Sequence, residues 1–296
     1  MKSSITRYVG LCIAATPLGL VAVYMVAFWF NRAGTSAAMH IGSSTAVITE
    51  ETSPTMPYAR NSFWELFFAA VAGLILVAAA RRYLAPDETE PNSVPGTWRT
   101  RTFMSAGLFT IGLGMSSLLS PEDAENISRT SDYVTPAQWW ESARTLFAGS
   151  AEEPFFSALP IVVLFGVVGR VRQVRPWMLA IVIASSALFR ASIHLYQGTG
   201  QAASALVWGA VAVYIYYRLR SLTGLVLAHT TWNAFVIANN GDYTAAQVVI
   251  GGCIAITALW SIYRLSSQPN THHVERSGPA PADDYIPPIA TSEGHR

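Results

Sequence analysis

Glu152 and Glu153 lie side by side in a run that carries no other charge from Leu146 to Val168. Arg190 and His194 interrupt a second apolar run, and His229 and Asn233 a third. Each of the last two pairs is spaced i, i+4, as are Glu153 and Ser157, so each pair shares one face of a helix. A carboxylate and an imidazole together can deprotonate a water. A second imidazole and an amide are donors suited to an oxyanion at a carbonyl under attack. The set therefore suits hydrolysis of a peptide bond. Glu152, His194 and His229 could also ligate zinc and leave a position open for water. No His-Glu-x-x-His motif stands behind such a site. No serine sits beside a Lys or His in a nucleophile's arrangement.

Taken singly, these residues have blander readings. A lone His or Asn in a membrane helix commonly hydrogen-bonds a neighbouring helix. A lone Glu with Arg190 could be a structural bridge. Two Glu, two His and an Asn at compatible depth on three helices are harder to read as glue, because ionisable groups in a bilayer are costly.

The elements that must position them are membrane helices. Of 296 residues, 51% are hydrophobic and 12% charged, about half the charge of an ordinary soluble domain. The 9 Trp and 12 Tyr suit interfacial anchoring. A net charge of +1 gives no footprint for a nucleic-acid partner. Apolar runs of bilayer length predict eight spans: 9–30, 63–80, 103–119, 150–169, 176–195, 202–217, 222–238 and 245–263. The expected fold is an all-α polytopic membrane protein with the polar cluster among spans four, five and seven. A Ser/Thr-rich loop is expected after Phe30, and an interfacial helix over 137–148 ahead of the fourth span. Residues 1–265 form one transmembrane domain, and the Pro-rich segment 266–296 reads as a disordered cytoplasmic tail. Cys12 and Cys253, both in apolar runs, read as small core residues rather than a disulfide.

Charge sets the orientation. With the N-terminus inside, 14 of the 19 basic residues fall in inner segments and 4 in outer ones, with Arg190 inside a span. By the positive-inside rule both termini are cytoplasmic and the chain is multi-pass in the cell membrane. Span four then enters from outside and spans five and seven run outward, which places Glu152 in the outer half, His194 near the outer end of its helix and His229 near mid-depth with Asn233 one turn further out, so the three helices can bring these groups to similar depth.

These residues resemble the CPBP family, which comprises the CAAX prenyl proteases and bacteriocin-processing (Abi) membrane proteases. The family pattern is Glu-Glu-x-x-x-Arg, then Phe-x-x-x-His, then His-x-x-x-Asn on successive helices. Glu152-Glu153 supplies the start of the first, His194 the end of the second, and His229-Thr230-Thr231-Trp232-Asn233 the third. The resemblance covers about residues 145–240. It implies an intramembrane endopeptidase in which Glu152 and His194 activate water and His229 and Asn233 form the oxyanion hole. It implies a glutamate-dependent chemistry with no cofactor, zinc being the alternative.

Two positions depart from the pattern. Ser157 stands where the family has Arg, and Arg190 where it has Phe. Unpaired charge at this depth is expensive, so Arg190 is expected to reach across to Glu153 and replace the lost pair. Three functions compete: an endopeptidase, an inactive scaffold or immunity protein, and a proton-coupled transporter. The absence of inverted repeats argues against the last. Lys2 is the sole Lys, and with abundant Ala this points to a high-GC bacterium, where a leader peptide or membrane protein is a better substrate than a prenylated one.

Overall fold

A computed structural model describes residues 2–45, 56–84, 96–119, 136–169, 174–240 and 243–267. Among them the chain is helical, without strands. We label the long helices α1 (Lys2–Thr45), α2 (Met56–Leu84), α3 (Trp98–Ser117), α4 (starting as Pro136–Glu152), α5 (Pro176–Ile193), α6 (Thr199–Leu219), α7 (Leu222–Asn240) and α8 (Thr244–Ser266). Five stretches are long and apolar enough to cross a bilayer: Pro57–Leu84, Trp139–Val168, Pro176–Ile193, Thr199–Leu219 and Thr244–Ser266. α3 and α7 match expected spans but carry more hydroxyl and amide groups, and on α3 Thr102, Ser105, Thr110 and Ser116 are buried inside the protein. The architecture is the expected all-α polytopic membrane fold.

Three sequence expectations change. α1 does not stop near Phe30 but runs on to Thr45; no proline interrupts the following segment, and a tertiary contact holds it. It docks there, with Ser36 Oγ accepting the backbone N–H of Tyr196 at 2.8 Å. The interfacial helix over 137–148 is not separate from span four, since nothing between Ala148 and Glu152 breaks the helix. Cys253 is exposed on α8 rather than in the core, because α8 turns most of its surface away from the bundle. The tail beyond Ser267 lies outside the described residues, as does the side chain of Cys12.

α3 is the scaffold, packing against α6, α7 and α8. Small residues let the backbones meet, as membrane helices need when lipid offers no hydrophobic drive. A Cβ on Gly107 would lie 2.4 Å from the Thr257 carbonyl of α8, and one on Gly224 of α7 would lie 2.4 Å from the Thr102 carbonyl. Ser221 ties the start of α7 to α3: its hydroxyl meets Thr102 Oγ1 at 2.9 Å and its carbonyl accepts from Ser105 Oγ at 3.2 Å. α2 runs along α4, touching Pro154 at Gly73 and packing Leu84 on Gly166.

After Glu152 α4 changes pitch. Glu153–Ala158 is π-helical, Leu159–Val163 returns to α, and Leu164–Val168 is π-helical again. Pro154 has no N–H to give an α-helical ladder. The Leu159 N–H bonds the Pro154 carbonyl, five residues back. Single π turns of this kind are common at functional sites.

Candidate active site

The π turn begins at the two glutamates and buries both: Glu153 is inaccessible and Glu152 5% exposed. Arg190 comes from the last turn of α5, and His194 caps that helix. Gly198, with φ of 106°, then makes the tight turn into α6 that a side chain would strain. His229 sits on α7, where the lack of a side chain on Gly149 lets α4 approach. A Cβ there would come within 2.7 Å of His229 Cβ.

The two carboxylates have different surroundings. Glu153 is saturated. Its Oε1 meets His229 Nδ1 at 2.9 Å, and its Oε2 accepts from Ser157 Oγ at 2.6 Å. Arg190 Nη2 lies 3.2 Å from the same Oε2. Thus Ser157, at the position of the family's Arg, supplies a hydrogen bond, and Arg190 supplies charge from the next helix. Glu152 is less engaged. Its Oε2 lies 3.8 Å from Arg190 Nε and 3.7 Å from His194 Nε2. Glu152 Oε2, Arg190 Nε and His194 Nε2 are all buried without a hydrogen-bond partner among the described residues.

His194 Nδ1 is 2.8 Å from Gln197 Oε1. If Nδ1 donates to that amide oxygen, Nε2 holds the lone pair and faces Glu152. Two acceptors then face each other 3.7 Å apart. Asn233 lies one turn beyond His229, and its Nδ2 donates to the Thr145 carbonyl at 2.7 Å. Thr230 Oγ1 bonds the Leu146 carbonyl at 3.3 Å, so α7 is fastened to the first half of α4. Glu152, Glu153, Arg190, His194 and His229 therefore form one cluster, with Asn233 tied to α4 next to it.

The zinc alternative finds no geometric support. Among the described residues no group of three or more His, Cys, Asp or Glu stands where it could hold a metal ion, and Glu152, His194 and His229 are no exception. His229 spends its Nδ1 on Glu153 instead.

Two aromatic contributors escaped the sequence reading. Trp208 of α6 has Arg190 Cζ 4.6 Å from its ring centroid, and the rings of His229 and His194 meet it edgewise at 5.1 and 5.8 Å. Trp29 of α1 is inaccessible and packs on Phe155 and Phe156, with Arg190 Cζ over the Phe156 ring at 5.1 Å. A Trp in a span ordinarily signals an interfacial anchor. Only the i+1 neighbour Gly209 hinted otherwise, since a Cβ there would lie 3.1 Å from Arg190 Cδ.

Fold and cluster together define a polytopic membrane protein with carboxylates, imidazoles and a guanidinium gathered inside its helix bundle. Residues 137–235 match the Rce1-like family, described as type II CAAX prenyl endopeptidase Rce1-like. The match covers the helices that bear all the motif residues and agrees with the CPBP resemblance. The family is one of membrane-embedded endopeptidases. No curated protein and no solved structure matches the chain.

Proposed function

We propose that the protein is an intramembrane endopeptidase in which Glu152 and His194 activate water through a glutamate-dependent mechanism. The observation that carries this reading is the set of three buried, unpartnered atoms around Glu152 Oε2. Polar groups separated by more than 3.5 Å commonly share a water. A water there donates one hydrogen to Glu152 Oε2 and one to His194 Nε2, and accepts from Arg190 Nε. As its oxygen attacks the scissile carbonyl, a proton passes to this acceptor pair and is delivered to the leaving amine.

His229 and Asn233 are the proposed oxyanion donors. The second amide N–H of Asn233 is available, since its Nδ2 uses one on Thr145. For His229 to donate from Nε2 while Nδ1 serves Glu153, it must be an imidazolium. The substrate class is a leader-bearing peptide or a membrane protein. The site opens in the outer half of the cell membrane, with both termini cytoplasmic.

The test compares peptides of membrane fractions from cells carrying wild-type protein and Glu152→Gln. We expect one or a few cleavage products present only with wild type. Identical profiles at equal protein levels would favour a non-catalytic membrane scaffold.

The contact at Gly149 gives a second expectation. Gly149→Ala pushes its Cβ into His229, an overpacking that costs about 1–3 kcal/mol. Displacing a catalytic group by about 1 Å can reduce turnover by about 10²-fold. Cleavage rate should fall much further than thermal stability in detergent, whereas parallel losses would mean that the glycine serves packing alone.

A further inference from the structure

We propose that Trp208 is a positioning residue of the site: its indole is the common wall that sets Arg190, His194 and His229 relative to one another. Arg190 is inaccessible, yet none of its three side-chain nitrogens has an aligned hydrogen bond among the described residues. It forms ion pairs with both carboxylates, which fix its charge but not its plane. What the guanidinium does meet is ring surface, Trp208 at 4.6 Å and Phe156 at 5.1 Å from their centroids. A guanidinium over an aromatic face is attracted by the ring quadrupole, which holds its position between the rings. Between these two faces the guanidinium lies with Nε 3.8 Å from Glu152 and Nη2 3.2 Å from Glu153.

The same indole sets the imidazoles. His229 meets it at 74° and His194 at 73°, both edgewise. Edge-to-face contacts fix ring orientation as well as distance. Gln197 holds His194 and Glu153 holds His229 at one nitrogen each, and one hydrogen bond leaves an imidazole free to swing about it. Trp208 supplies the second constraint for both. It is 6% exposed and is itself braced by Phe109, 6.0 Å away. Gly209 beside it keeps α6 close to α5, next to Ala187 and Arg190.

The role rests on the hydrolytic reading only for its rate measurement, so the test has two arms. In the first, side-chain nitrogen resonances of His194, His229 and Arg190 are recorded in detergent for wild type, Trp208→Leu and Trp208→Phe. All three residues should shift in Trp208→Leu, and Trp208→Phe, which keeps an aromatic face, should restore most of the wild-type pattern. Unchanged resonances in folded Trp208→Leu overturn the proposal. If Trp208→Leu does not fold, Trp208→Met fills the space without a ring face and is read the same way. In the second arm, kcat on a cleaved peptide should fall about 10²-fold in Trp208→Leu with KM held, and Phe should recover most of it. A loss confined to KM also overturns the positioning role. Shifted resonances in a protein whose wild type cleaves nothing leave the Trp208 assignment standing and defeat the hydrolytic reading alone.

Discussion

Replacing Arg190 with Met is expected to cost the protein more stability than any other single change at the site. Arg190 is inaccessible and is the cation that faces both Glu152 and Glu153. Removing one partner of a buried ion pair costs about 3–5 kcal/mol, because it leaves uncompensated charge in a poorly solvated place. Here the loss leaves two carboxylates within one helical turn. The double variant Arg190→Met with Glu153→Gln should recover a large part of that loss, since the amide still hydrogen-bonds and carries no charge. Arg190→Lys should recover less, because an ammonium is a point charge and lacks the fork that reaches two carboxylates. Unfolding in detergent, together with the yield of monodisperse protein, reads all three. A double variant no more stable than Arg190→Met would show that Arg190 acts through its packing on Trp208 and Phe156 instead of its charge.

The largest expected effect on rate is at Glu152 and His194, and it should be non-additive. Each is one side of the acceptor pair that faces across 3.7 Å. General acid–base groups contribute about 10²–10⁴-fold, so Glu152→Gln and His194→Ala should each reduce kcat by about 10³-fold. Groups that act as a unit lose little more when both are removed, and the double variant should be no slower than about either single one. Purified proteins and a peptide found in the membrane comparison supply the measurement. Losses that multiply would assign the two residues to separate steps. Glu153→Gln should behave differently, lowering stability before rate, because Glu153 is occupied by Ser157, His229 and Arg190.

The span pattern was legible because bilayer length and apolarity are local properties of the chain. Pro176 and Gly198 mark helix ends by their own backbone preferences. The motif residues were legible because a charge in an apolar run stands out without knowledge of its neighbours. Three things were not legible. The extension of α1 to Thr45 depends on a dock at Tyr196, 160 residues away. The pairing of His229 with Glu153 rather than with Glu152 depends on which way a π turn rotates the two side chains, and helical spacing assumes a regular α-helix. Trp208 was invisible because its role lies in its ring face, and sequence shows ring faces as hydrophobicity.

The two π turns in α4 bear on how this chain is to be aligned with others. Such a turn holds one residue more than an α-helix needs for the same rotation. Losing a residue between Pro154 and Ala158 would leave a helix, and a more regular one. It would also turn the two glutamates by about 100° relative to everything after them, since each α-helical residue rotates the chain by that amount. Gly166 would then no longer meet Leu84 while Glu153 met His229 and Ser157. A one-residue gap at this point is therefore a change of face and not a change of length. Motif spacings counted across it compare different sides of the helix.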